Sequence, residues 1–322
     1  MEGSRIVRFE DKLDTMLLIS GEMIENHGED SFCCLQEKCS ALVSVFDGCG
    51  GLGSRTYPEF QGYTGAYMAS RLVSGAVCDW YRAMVGDVSH DSEEALTQLK
   101  EYIRKVFALA ESYTENSFRI CGSMVRDLPT TAAIAIAQEQ KAGLVLHVIW
   151  AGDSRVYRMD ARGLAQLTKD DVDIGDALSN LTEDGVLTNV LSSDGRYELH
   201  YKRLAIEEPT VVFAATDGCF GYISSPMEFE HMILRALDAA QTPEEFREQV
   251  SARISEVAGD DYALGMMSFL YGSFANLKAG FVTRRKELER KYISPLQADH
   301  SDDLVRRLWQ EYRRDYERDY ER

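Results

Sequence analysis

The chain has 322 residues, 45% of them apolar, enough to bury a sizeable core, and no uninterrupted apolar run of membrane-spanning length, so neither disorder nor a membrane span is expected. Its formal net charge of −18 argues against nucleic acid as a partner, because phosphate backbones call for concentrated Lys and Arg. Seven cysteines without C-x-x-C spacing favour reduced thiols over a disulfide framework or a thiolate zinc site. Early charges (Glu2, Arg5, Arg8, Glu10) leave no signal-peptide apolar core, so the chain reads as a soluble cytoplasmic protein.

In chain order, residues 15–19, 31–36 and 41–46 are short apolar or mixed runs between turn residues, which predicts the first strands of a sheet. A polar turn, 25–30, carries the acids Glu29 and Asp30. From about 62 to 85 Tyr63, Ala66, Tyr67, Ala69, Leu72 and Val73 recur at helical spacing, and a second helix is predicted from about 92 to 118. β structure resumes at 131–137, 143–150, 155–159 and 164–167, and the short intervening turns predict antiparallel pairing. Residues 170–193 lack a sustained period and read as a surface flap, which extends to about 207. A strand ending at Asp217 precedes helices at 227–240 and 243–257, the second opened by Thr242-Pro243, and a last strand spans 263–271. Sheet, two helices, sheet, two helices and a strand fit an α+β sandwich of two antiparallel sheets with helix pairs outside.

The tail from residue 276 holds 12 Lys plus Arg and 10 Asp plus Glu, about +2, leaving the body near −20. Its alternating charges predict a solvated helix; Leu304, Leu308, Trp309, Tyr312 and Tyr316 form the stripe a docking arm would use. The expected division is a main domain at 1–275 and an extension at 276–322.

Three apolar runs end on an acid: Val43-Ser44-Val45-Phe46 on Asp47, Val148-Ile149-Trp150 on Gly152-Asp153, and Val211 to Thr216 on Asp217. A buried carboxylate needs a cation, a basic partner or several N–H donors. Together with Glu29-Asp30 and Asp260-Asp261 these acids suggest one shared site, and carboxylate oxygens suit hard cations such as Mg²⁺ and Mn²⁺. Gly48, after Asp47, lets the backbone come close enough for its carbonyl to act as a ligand. Cys49 reads as a small turn filler, Arg155 as a structural or flap-orienting cation, and His27 as a solvated turn residue.

The ordered set Glu29-Asp30, Asp47-Gly48-x-Gly50-Gly51, Thr130-Thr131-Ala132, Gly152-Asp153-Ser154-Arg155, Leu167-Thr168-x-Asp170, Thr216-Asp217-Gly218 and Asp260-Asp261 resembles the motif series of the PPM-type (type 2C) metal-dependent serine/threonine protein phosphatases, over about residues 14–270. The resemblance implies the same sandwich and hydrolysis of phosphoserine or phosphothreonine with Mn²⁺ or Mg²⁺. Asp47 would bridge two ions, with the Gly48 carbonyl on one and Glu29 supporting that ion through water, and Asp217 and Asp260 on the other. Asp261 stands where the family usually has Asn, and a one-residue shift would exchange it with Asp260. Asp153 would contribute to a third, weaker site, and Asp30 would orient the attacking water. The implied partners are phosphorylated proteins and a cognate Ser/Thr kinase system. The usual phosphate-binding Arg is replaced by Glu25, the frequent His of the glycine turn by Cys49, and the His after the Leu-Thr-x-Asp acid by Asp171. A metal-binding, weakly active regulatory module is the alternative the resemblance leaves.

Overall fold

The structure is a computed structural model that describes residues 9–84, 92–113, 127–173, 175–179 and 185–320. In chain order it runs β1 (Leu13–Gly21), β2 (Ser31–Glu37), β3 (Ser40–Phe46), two short strands β4 (Thr56–Tyr57) and β5 (Tyr63–Thr64), α1 (Gly65–Met84), α2 (Ser92–Tyr113), β6 (Ala132–Gln140), β7 (Gly143–Ala151), β8 (Arg155–Asp160) and β9 (Gly163–Gln166). After the flap come β10 (His200–Ile206), β11 (Thr210–Ala215), α3 (Pro226–Ala239), α4 (Pro243–Ser255) and β12 (Tyr262–Phe269). The extension adds α5 (Phe274–Gly280), α6 (Val282–Leu288), a π-helical turn, α7 (Ser294–Ala298) and α8 (Asp302–Tyr316).

One sheet has the order β1-β12-β11-β8-β9 and the other β10-β7-β6-β3-β2, both antiparallel throughout. The expected sandwich is therefore present. Every residue of β3 is buried because both its faces are covered. Val43 and Val45 join Ala135, Val148, Val212 and Met267 between the sheets, while Leu42 and Phe46 face α1 and α2. On α1, Ala66, Ala69, Val73, Ala76, Val77 and Trp80 recur every three or four residues and form the buried stripe. Thr242 caps α4 by accepting the Glu245 N–H at 3.1 Å, with Pro243 in the first turn, as its sequence predicts.

Two readings change, and others fall outside the described residues. Residues 200–206, expected within the flap, pair with β7 as an edge strand, because the register puts His200 opposite Trp150 and Ile206 opposite Leu144. The predicted helices ran to 85 and 118; residue 85 and residues 114–118 lie outside the described residues, as do 174 and 180–184 of the flap. Cys33 on β2 and Cys78 on α1 form a disulfide, against the expectation of reduced thiols. They are 45 residues apart, and only the packing of α1 on β2 brings their Cα atoms to 6.4 Å.

The extension is not a solvated helix. Trp309, Tyr312 and Tyr316 are each about 1% exposed and join the core between the β1-β12-β11-β8-β9 sheet and α3. Their three- and four-residue spacing turns one aromatic face of α8 inward and leaves the charges outside. Arg284 donates to both oxygens of Glu230 at 2.7 Å, and the Tyr312 hydroxyl adds a third bond at 2.6 Å, so this buried acid is fully compensated. No described helix is long and apolar enough to cross a membrane.

Candidate active site

Asp47, Asp153 and Asp217 each follow the end of a strand, respectively β3, β7 and β11, while Glu29 and Asp30 precede β2 and Asp260 and Asp261 precede β12. Antiparallel pairing brings all of these strand ends to one edge of the sandwich. The side chains of Glu29, Asp30, Asp47, Asp153 and Asp217 are half-buried there, with Asp260 exposed at the rim and Asp261 buried beneath it.

Backbone and hydroxyl contacts hold the acid-bearing turns. The Asp47 carbonyl accepts from the Thr131 N–H at 2.8 Å and from the Thr130 hydroxyl at 2.7 Å, and the Asp47 N–H donates to Thr131 Oγ1 at 3.1 Å. Thr131 Oγ1 also meets Ser154 Oγ at 2.6 Å, which links the Asp47 turn to the Asp153 turn. Across the site the Thr216 hydroxyl donates to Asp30 Oδ2 at 2.7 Å and receives the Ala263 N–H at 2.9 Å. Gly48 is obligatory here, since a Cβ would come within 2.6 Å of the Ala66 carbonyl and 2.7 Å of the Glu29 carbonyl.

The carboxylates are mutually repulsive. Burial, then Asp217 and Asp30, push Asp47 well above the ordinary carboxylate range. Burial, opposed by the Thr216 hydroxyl and aided by Asp217, does the same to Asp30. Asp153 is pushed up to about 8 by burial and Asp217, and Asp217 to about 6 by burial and Asp260. Glu29 and Asp260 are raised as well, chiefly by burial. Asp153 Oδ1 is a buried oxygen with no hydrogen-bond partner. Such a set calls for cations: its donors are all hard oxygens, one of them unpaired, and its charges oppose one another. Among the described residues, however, no three His, Cys, Asp or Glu side chains converge closely enough to hold one ion. The donor chemistry fits hard cations.

A sequence model described as protein phosphatase 2C matches residues 25–257. The chain belongs to that family. Solved structures share the fold at low identity: a bacterial serine phosphatase (TM-score 0.59, 17% identity, covering 80% of this chain and 97% of that one) and the Staphylococcus aureus serine/threonine phosphatase Stp1 (TM-score 0.56, 18% identity, 84% and 99%). The Mycobacterium tuberculosis serine/threonine phosphatase PstP/Ppp gives a TM-score of 0.53 at 18% identity, covering 80% and 99%. No curated protein sequence matches the chain.

Against this family background the positions that differ have clear surroundings. Glu25 is exposed on the turn between β1 and β2, and its carbonyl lies 3.0 Å from the ring nitrogen Nδ1 of the exposed His27. Cys49 is buried, and burial followed by Asp47 and Asp153 pushes its thiol well up, so it stays protonated and fills the turn. Asp171 accepts from the Gly152 N–H at 3.0 Å and from Asn189 at 2.6 Å, and pairs with His200 at 2.9 Å, tying the flap to the Asp153 turn. Arg155 is held by Asp170, with Nη2 at 2.6 Å and Nε at 3.1 Å from both oxygens, and lies over the Phe220 ring at 4.2 Å. It is the structural cation the sequence suggested.

Two features escaped sequence reasoning. Asp261 accepts the Met23 N–H and the Glu29 N–H, each at 2.7 Å, one on each oxygen, so it fastens the Glu29-Asp30 turn to β12. The pair Asp260-Asp261 gave no sign of which acid turns inward. The His200–Asp171 pair depends on β10 being a strand, for which the sequence carried no alternation strong enough to read.

Proposed function

We propose that this chain hydrolyses phosphoserine or phosphothreonine in proteins with the aid of two Mn²⁺ or Mg²⁺ ions. The observation that carries the reading is the gathering of Glu29, Asp30, Asp47, Asp153, Asp217 and Asp260 at one edge, raised by burial and by one another, in a member of the protein phosphatase 2C family. Asp47 would hold both ions, the Gly48 carbonyl one with Glu29 supporting it through water, Asp217 and Asp260 the other, and Asp153 a third. Bound there, the ions supply Lewis acidity to the phosphoryl oxygens and make water a stronger acid. Asp30 has one oxygen on the Thr216 hydroxyl; its other oxygen would orient water and take its proton. Asp261, assigned to the metal set from sequence, would act through the Glu29 turn, because both its oxygens receive backbone N–H groups.

In this reading residues 1–275 carry the chemistry, with the flap from 170 to 199 ahead of β10, and 276–322 buttress it. A cognate kinase would supply the substrate. The Cys33–Cys78 bond favours an oxidising setting over the cytoplasmic one expected from the sequence.

The test is turnover of a phosphothreonine peptide with Mn²⁺ and with EDTA, in wild type and Asp217→Asn. Metal-dependent turnover lost at least about 100-fold in the variant is expected, the loss typical of removing one preorganised electrostatic group. Absence of metal-dependent turnover above the variant's level overturns the enzyme. One observation favours a second reading: an acid, Glu25, stands where the family's phosphate-binding Arg would be. Mn²⁺ binding without turnover would then identify a regulatory phosphoprotein-binding module.

A further inference from the structure

The extension beyond β12 lies outside the part of the chain matched by the family model, which ends at residue 257. Yet its last helix, α8, makes two polar connections to the body, one ending at the acidic edge and one on residues 176–179. On the first, the Tyr316 hydroxyl donates to Gln166 Oε1 at 3.0 Å, and Gln166 Nε2 donates to Asp170 Oδ1 at 2.8 Å. Asp170 grips Arg155, whose guanidinium covers Phe220. Arg155 sits two residues after Asp153 and pairs in register with Ala215, two residues before Asp217. Tyr316, Gln166, Asp170 and Arg155 therefore form a buried hydrogen-bonded chain that ends between two of the acid-bearing turns. On the second route, Trp309 Nε1 donates to Asp176 Oδ2 at 3.3 Å and Arg313 pairs with the same oxygen at 3.4 Å. Asp176 is a flap residue whose other oxygen accepts the N–H groups of Leu178 at 3.1 Å and Ser179 at 2.9 Å.

We propose that α8 is a positioning element of the active site: Tyr316 sets Arg155 between the Asp153 and Asp217 turns, and Trp309 with Arg313 sets the flap through Asp176. The physical reason is that Arg155 and Asp170 are both almost fully buried, so their geometry is fixed by the polar groups that complete their bonding, and Gln166 is such a group only while its own amide is oriented. An amide with its carbonyl oxygen on Tyr316 must turn its NH₂ to Asp170. The family's reaction thus acquires, in this chain, a dependence on a segment beyond its shared core. The kinetic part of the test rests on the phosphatase reading; the exchange part does not.

Two conservative variants keep the packing and remove one donor each. In Tyr316→Phe, amide hydrogen exchange over residues 168–173 is expected to rise at least threefold, and kcat to fall three- to tenfold on p-nitrophenyl phosphate and phosphothreonine peptide alike, with KM unchanged. In Trp309→Phe, exchange over residues 175–179 is expected to rise at least threefold. Tyr292→Phe is the control, a buried tyrosine of the same extension stacked edge-on against Tyr312 and outside both routes. Wild-type exchange in both variants, or equal changes in Tyr292→Phe, would overturn the proposal. If wild type shows no turnover, the phosphatase reading fails while the exchange results still decide the role of α8.

Discussion

Two charged regions of this molecule behave in opposite ways. Behind the β1-β12-β11-β8-β9 sheet, Glu230 is completely buried but takes two bonds from Arg284 and one from Tyr312, and Asp160 is held below the usual carboxylate range, its burial outweighed by Arg162, Arg318 and Arg158. At the strand ends, Asp30, Asp47, Asp153 and Asp217 press against one another and are all raised. The first region is charge the fold completes for itself. The second is charge on which burial and mutual repulsion prevail, and on the proposed reading cations complete it.

The largest effect comes from breaking the completed region. Glu230→Gln leaves Arg284 buried with a neutral partner and is expected to cost about 3–5 kcal/mol, read as a lower midpoint in urea. Reducing the Cys33–Cys78 bond, which closes a span of 45 residues, should cost about 2–4 kcal/mol, read by comparing oxidised and reduced protein in the same denaturant series. Asp217→Asn works the other way on stability. It should lower turnover about 100-fold, about 2.7 kcal/mol of barrier, yet raise the thermal midpoint of chelator-treated protein, because one member of a repelling set is gone.

The smallest effect is the sharpest in sign. Asp153 is raised to about 8 and Asp217 to about 6 from 3.8, so between those values the folded, metal-free chain keeps protons that the unfolded chain has released. Stability of the metal-free protein is therefore expected to fall as pH rises from about 4 to about 8, through both acids up to about 6 and through Asp153 alone above it, with a thermal midpoint several degrees lower at the upper end. A flat profile would mean that the acids do not repel as described.

The fold was legible where periodicity is strong. β3, with both faces covered, announced itself as a short apolar run interrupted only by Ser44, and α1 and α4 by their spacing and the Thr242-Pro243 cap. Asp47, Asp153 and Asp217 stood out in the sequence because each follows an apolar strand. Their partners were not: Thr216 meets Asp30 across 186 residues, and Asp261 meets Glu29 across 232, distances only topology can bridge. The extension misled for a related reason. Its alternating charges dominate the sequence of α8, whereas Trp309, Tyr312 and Tyr316 between them are what pack. Cys33 and Cys78 carried no spacing signal because strand and helix meet at right distance only once folded.

The central claim is that the acidic edge is completed by cations. Thermal unfolding of chelator-treated protein at pH 8, titrated with Mn²⁺, tests it most directly, since a cation that binds only the folded state must raise the midpoint. The expected result is a saturable rise in wild type that is strongly reduced in Asp217→Asn. No rise in wild type, or an equal rise in the variant, would contradict the account.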